Sequence, residues 1–424
     1  MAQACPHLYP NLLVLANWRR FSLSINSEWL LILRGHAGKF ALSNSPAIFT
    51  KTVPNMPTIQ SVIMQLEAWA PISYQESYDN AGLITGDKGW PCSGVLCSLD
   101  ATEEVVNEAI AKGCNLIVAH HPIVFTGLKK LSGNGYVQRA IIKAIKHDIA
   151  IYAIHTNLDN VADGVNRMIA ERLGLKQESL AVLAPKTGLL CKLHTYVPLE
   201  NASAVREALF AAGAGHIGRY VECSFSTGGL GSFRPLENTN PAIGTAGGPR
   251  EQVAEEKVEV ILPLHLQQKV LAALFKAHPY ETVAYELVAL QNAHQEVGSG
   301  LIGELSETLS ETAFLHLLKE RFELQVVRHS PLRQRPVRTV ALCGGAGSFL
   351  TKAAIASGAD AYVTADVKYH EFFDADGQLL LADIGHFESE QYTIAGICKF
   401  LQDKFPTFAV LQTEVNTNPV CYFV

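Results

Sequence analysis

The sequence has no apolar run approaching the roughly 20 residues that a bilayer-spanning helix needs, which excludes a helical membrane protein. It has no Cys-x-x-Cys pair either: nine cysteines lie scattered without a regular framework. That excludes a thiolate zinc module and a disulfide scaffold, and favours reduced thiols in a cytoplasmic protein. Positive charge is not in excess. Lys and Arg number 34 against 40 Asp and Glu, for a net charge of −6, and no basic stripe interleaves with aromatics. A nucleic-acid partner is therefore not supported. What the chain does have is 48% hydrophobic residues with only 17% charged, the balance of an ordinary globular protein. At 424 residues it is too long for one typical core, and two or three domains are expected.

Acidic residues are nearly missing from residues 1–55, where Glu28 stands alone against Arg19, Arg20, Arg34, Lys39 and Lys51. The best apolar run there, 29–33, is too short for a secretory signal. An Arg- and Ser-rich composition fits an organellar transit peptide. A third reading is preferred: Met56 is the true start, and 1–55 is a mis-called or poorly structured extension.

From residue 58 the pattern becomes regular. Ile59, Val62, Ile63, Leu66 and Trp69 form a helical stripe. Strands are expected over 94–99, 115–119 and 149–154, and helices over 102–112, 135–147 and 161–173. Strands alternating with helices indicate a mainly parallel sheet covered on both faces. Around residue 187 the style changes to strand, helix, strand, then a Gly/Pro-rich stretch over 228–249 read as a loop, then the same order again. Val197-Pro198-Leu199 and Ala208-Leu209-Phe210 recur 65 positions later as Leu262-Pro263-Leu264 and Ala273-Leu274-Phe275. A duplicated βαβ unit implies a ferredoxin-like domain. After residue 298 the first style returns. The expected architecture is α/β: a discontinuous α/β domain (56–186 and 294–424) with a ferredoxin-like domain (187–293) plugged into it.

Chemistry-bearing residues fall just past predicted strands: His120 and His121; His155 with Asp159; Asp366; and His386 with Glu390. Open α/β sheets bind ligands at such carboxyl ends. His386 and Glu390 are four apart, on one face of a helix. Any one of these alone is weak, since a lone histidine is usually a surface or hydrogen-bonded residue. Their recurrence at one sheet edge is hard to explain by packing, because buried carboxylates need a partner or a cation. A His/Asp/Glu set without thiolates suits Zn, Mn or Fe(II). The set is too large for one catalytic ion, and two ions bridged by a carboxylate fit better. The turn Gly344-Gly345-Ala346-Gly347 resembles a phosphate cradle only loosely, and a tight strand-to-helix turn is the stronger reading.

These segments resemble the NGG-one-interacting-factor-three-like family, whose bacterial members are often labelled GTP cyclohydrolase 1 type 2. The resemblance rests on Leu116 to Pro122, His155-Thr156-Asn157-Leu158-Asp159, Thr364 to His370 and Asp383 to Glu390. It extends to Asp79-Asn80-Ala81-Gly82-Leu83 and, in the insert, to Ala277-His278-Pro279-Tyr280-Glu281-Thr282. It implies two divalent ions per subunit held by His120, His121, Asp159, His386 and Glu390, with Asp159 the bridge. His155, Asp366 and His370 become catalytic or substrate-facing candidates. It further implies a toroidal homohexamer and a metal-dependent hydrolase acting on a small, nucleotide-like molecule. The alternative is a non-catalytic metal-binding or chaperone-like hexameric assembly whose insert binds a ligand or partner. Two positions depart from the family pattern: Tyr369-His370 stands where members pair two histidines, and Tyr78 where an indole is common.

Overall fold

The computed structural model describes residues 56–423, so the reading of 1–55 lies outside the described residues. The first segment runs α1 (Ile59–Trp69), β1 (Gly82–Thr85), β2 (Val95–Ser98), α2 (Glu103–Lys112), β3 (Leu116–Ala119), α3 (Tyr136–Lys146), β4 (Ala150–Ala153), α4 (Thr156–Asp159), α5 (Val165–Leu173) and β5 (Ala181–Lys186). Local chemistry sets the bounds. The Thr58 and Thr102 hydroxyls accept from the Ser61 and Val105 amides to cap α1 and α2, and Gly113 at φ +71° ends α2. The helix expected from 161 begins only at Val165. Gly164 runs against the Leu158 carbonyl where no side chain fits, so the chain turns there first.

The middle segment runs β6 (Leu190–Pro198), α6 (Ala202–Ala211), β7 (Ser224–Phe233), β8 (Glu251–Pro263), α7 (Gln267–Ala277) and β9 (Tyr285–Ala289). Its strands form an antiparallel sheet in the order β7-β8-β6-β9. Leu193, Leu209, Val260 and Leu274 belong to a core of its own. Part of the stretch read as a loop is strand: β7 continues to Phe233 and β8 starts at Glu251. Glycine misled the reading. A side chain at Gly231 would strike the Glu255 carboxylate, so the residue that looks like a breaker permits the pairing.

The last segment runs β10 (His294–Ser310), α8 (Glu311–Phe322), β11 (Arg328–His329), β12 (Pro336–Ala346), α9 (Thr351–Ala356), β13 (Ala361–Ala365), β14 (Leu380–Asp383), α10 (His386–Glu390), α11 (Thr393–Lys404) and β15 (Val410–Gln412). In place of the single mainly parallel sheet expected, the two outer segments build two sheets, ordered β1-β4-β3-β2-β15 and β11-β14-β13-β12-β10-β5. The first is parallel except at β1. The second is parallel only through β12-β13-β14, with β10 antiparallel to both β12 and β5 and β11 antiparallel to β14. Each segment lends a strand to the other's sheet: β5 joins the second and β15 the first.

Side chains alternate across both sheets with period two. Cys97, Val118 and Tyr152 from the first sheet and Leu342, Val363 and Ala382 from the second share one core with α1, α5, α8 and α11. The opposite faces pack separately, Leu96, Ile117 and Ile151 under α2 and α3, and Ala341, Tyr362 and Leu381 under α9. Burial on both faces explains why these strands read as continuous apolar runs.

Candidate metal centre

The carboxyl ends of the two sheets meet. His120 and His121 follow β3, their amides donating to the Ser98 and Leu99 carbonyls at 3.1 and 2.9 Å. His155 follows β4, and Asp159 ends the single turn of α4. From the other sheet, β14 leads through Asp383 and Gly385 into α10, which carries His386 and Glu390 on one face as their spacing predicts. The buried Asp383 carboxylate shapes that loop, accepting from the Val367 and Gly385 amides and from Arg328 at 2.9–3.1 Å.

Glu390 sits at the middle. Its Oε2 lies 3.0 Å from His121 Nε2 and 3.1 Å from His386 Nε2, and its Oε1 lies 3.9 Å from His120 Nε2. His120 Nε2 is 3.6 Å from Asp159 Oδ1. Three donor groups, each with its atoms within 4.8 Å of one another, overlap here: His121, His386 and Glu390; His120, Asp159 and Glu390; and His120, His121 and His155. The carboxylate common to two of them is Glu390, whereas Asp159 belongs to one.

The imidazoles are fixed from behind, the arrangement that aims the second nitrogen at a metal. His120 Nδ1 donates to the Ile154 carbonyl at 2.8 Å, His121 Nδ1 to Asp100 at 2.8 Å and His386 Nδ1 to Asp366 at 2.7 Å. His155 Nδ1 donates to Asp79 at 2.7 Å. Asp366 adopts φ +54°, a strained conformation for a non-glycine residue, while aiming its carboxylate at His386. Two buried donor atoms, His120 Nε2 and Asp159 Oδ1, have no hydrogen-bond partner at all. Such orphans cost several kcal/mol each in a protein interior, roughly 2–7, and both are atoms that a divalent cation would satisfy. The residues fit a metal.

Charge at the cluster is divided unevenly. Burial pushes the His120 imidazole down to about 3, so its Nε2 presents a lone pair. Burial would lower His121 and His386 too, but the carboxylates of Asp100, Asp366 and Glu390 outweigh it and raise them to about 9 and 11. Burial, with Glu390 nearby, holds the Asp159 carboxyl well above its usual value. Burial acts the same way on Glu390, but hydrogen bonds from His121 and His386 leave it well below. Two carboxylates this close, one forced towards protonation, form a ready binding place for positive charge.

The cluster opens into a cavity of about 450 Å³. Gly345, at φ +58°, forms part of the centre's wall: a Cβ there would lie 2.5 Å from Glu390 Oε1. The glycines of the 344–347 stretch thus serve the centre, and most of the stretch is the end of β12 rather than a turn. His370 is not brought in. It is exposed in a 3-10 helix over Tyr369–Ala375, stacked on Phe373 with ring centroids 6.4 Å apart. Sequence reasoning missed Asp100, whose only signal is that it follows β2 as His120 follows β3. It also left Asp79 and Asn80 without roles. His278 is buried, with Nε2 donating to the Tyr196 carbonyl at 2.9 Å.

The chain is similar to known proteins along most of its length. The family model described as Duf34/NIF3 (NGG1p interacting factor 3) matches residues 57–419. A protein of Halalkalibacterium halodurans named GTP cyclohydrolase 1 type 2 homolog is 42% identical over 370 residues, covering 86% of this chain and 98% of its own length. One of the same name from Bacillus subtilis is 38% identical over 369 residues, covering 86% and 98%. The crystal structure of a Bacillus cereus protein related to NIF3 matches with a TM-score of 0.76 at 37% identity, covering 87% of this chain and 100% of that one. With its α/β sheets, its His/Asp/Glu cluster and this breadth of match, the chain belongs to the Duf34/NIF3 family.

Proposed function

We infer that the protein is a dinuclear divalent-metal hydrolase acting on a small, nucleotide-like molecule. The observation that carries this is Glu390, whose carboxylate belongs to two separate three-donor groups at once. His120, His121, Asp159, His386 and Glu390 would hold the ions, and a donor set of imidazole and carboxylate suits zinc, iron(II) or manganese. Bound, such ions supply Lewis acidity and lower the pKa of water for attack on electrophilic carbon or phosphorus. The chain's own residues do the rest. Asp100, Asp366 and the Ile154 carbonyl keep three rings aimed. His155, with Nδ1 donating to Asp79, turns its Nε2 lone pair to accept a proton and return it to the leaving group. Burial pushes the Asp79 carboxyl up, but hydrogen bonds from His155 and Thr156 outweigh it and hold the group at about 2, ionised at neutral pH.

Two structural proposals accompany this. Residues 187–293 form an inserted ferredoxin-like domain, a reading supported by the strand order β7-β8-β6-β9 with a helix after each of β6 and β8. The chains assemble as a homohexamer, for which native mass spectrometry should give six copies. One observation favours the alternative of a ligand-binding, non-catalytic assembly: the insert has its own cavity of about 330 Å³, lined by Phe233, Glu255 and Tyr280.

The test is elemental analysis of protein purified without added metal, followed by turnover of GTP, of free nucleosides and of a panel of phosphodiesters. About two ions per chain are expected, with hydrolysis that disappears in His120→Ala and Asp159→Ala. Metal-free protein, or turnover surviving either change, counts against the centre. Metal-loaded protein inert across the panel favours the alternative.

A further inference from the structure

The cavity in front of the donor cluster is poorly suited to a polyphosphate. Among the described residues that line it there is no lysine and no arginine. Lys186 lies close by, but its ammonium is held by Glu76 at 2.6 Å and by the Tyr74 carbonyl at 3.2 Å. Four carboxylates line the space instead: Glu76, Asp100, Asp159 and Glu390. Lys186 already matches Glu76, so two divalent ions set against the other three carboxylates leave a single positive charge, well short of what a nucleoside triphosphate carries. Phosphate charges brought in without partners lose hydration that nothing here replaces.

What the cavity has in place of cations is flat apolar surface. Tyr78, Phe125, Tyr136 and Phe349 line it, and they are 62%, 49%, 66% and 66% exposed. A single exposed aromatic residue means little, but four around one cavity contribute almost nothing to the core. They come from both halves of the site, Phe125 and Tyr136 near the first sheet and Phe349 just past β12. Phe125 lies 6.3 Å from Tyr78 and 6.4 Å from His155 between ring centroids, so an aromatic wall runs from the exposed mouth to the donors. The wall is braced. Asn80 Nδ2 donates to the Val124 carbonyl at 2.6 Å, fixing the residue beside Phe125, and Asp79 fixes His155.

We propose that this site binds a neutral planar nitrogen heterocycle, as a free base or nucleoside, in preference to a nucleotide polyphosphate. The proposal rests on the hydrolase reading above and narrows its substrate class, setting aside the triphosphate in the relatives' name. The heterocycle stacks on Phe125 and Tyr78 and presents its ring to the metal-facing donors.

The experiment is calorimetric titration of metal-loaded, full-length protein with guanosine, inosine and uridine, each against its own triphosphate without added magnesium. Metal content is measured on the same samples. At least one nucleoside should bind ten-fold or more tighter than its triphosphate. Phe125→Ala and Tyr78→Ala should each weaken it by roughly 5- to 100-fold, the range for losing a stacking partner, with metal content unchanged. Triphosphates binding as well as nucleosides, no nucleoside binding, or full affinity in both variants overturns the proposal while the metal centre stands. Protein that takes up no metal overturns the hydrolase reading and this proposal with it.

Discussion

Each imidazole of the centre is gripped on its far side, and that grip sets what single substitutions do. Asp100 accepts from both His121 Nδ1 and, at 2.6 Å, the Thr417 hydroxyl of the C-terminal tail. Asp100→Ala should weaken metal binding by roughly 10- to 100-fold, read by chelator competition, with the fold intact by circular dichroism. Gly345→Ala forces a left-handed residue and a Cβ against Glu390, so it should lower metal content and cost about 1 kcal/mol of stability. His370→Ala should change neither, and metal loss there would show that its helix reaches the centre. The residues that cluster here were legible because each follows an apolar strand, and position relative to a strand is a local property. The groups behind them were not. Asp79 meets His155 from 76 positions away, and no periodicity encodes a contact made through space.

Elements with both faces buried or with clean caps were also readable from sequence. Helix α2 was one, with Thr102 accepting from the Val105 amide and Val105 and Ala109 buried. Strand β10 escaped notice although it has 17 residues, because Gly298, Gly300 and Gly303 interrupt its pattern. These glycines lie where a side chain would meet the neighbouring strands or Leu180. The start of β10 matters for engineering. His294 is the register partner of Lys186, so the chain leaves and re-enters the second sheet at adjacent positions. Replacing 187–293 with a short Gly-containing turn should leave metal content near two per chain, and loss of metal would show that the insert supports the centre. Within the insert, His278 Nδ1 accepts from the Tyr280 amide at 3.1 Å, a bond that protonation would break. Burial lowers its pKa below the usual 6.5, with Glu255 opposing. A base with a lower pKa when folded takes up protons on unfolding, so its contribution is complete above 6.5 and is lost as pH falls below that value. Thermal midpoints measured from pH 7.5 to 5.5 should fall more steeply in the wild type than in His278→Asn, and parallel slopes would contradict this.

Across the whole molecule the centre draws on two sheets, with His120, His121 and Asp159 from the first and His386 and Glu390 from beside the second. A bound ion therefore ties the sheets together. Free metal at 1,000 times its dissociation constant would add about 4 kcal/mol of stability. Chelation should lower the melting temperature by several degrees and re-addition restore it; equal midpoints would mean the cluster takes no ion. That two sheets exist was the least legible property of the chain. Both outer segments read alike as strand and helix in alternation, and only the exchange of β5 and β15 reveals which strands pair with which.

The same division has a consequence in time. His121 and Glu390 are 269 positions apart, so at roughly 5–20 residues per second a ribosome makes them about 10–50 s apart. Throughout that interval the growing chain displays its paired histidines without the carboxylate that completes their site. Thr417, which steadies Asp100, is made later still. A product stalled before residue 386 would carry three of the five proposed ligands, so metal held by all five would record that synthesis had passed Glu390.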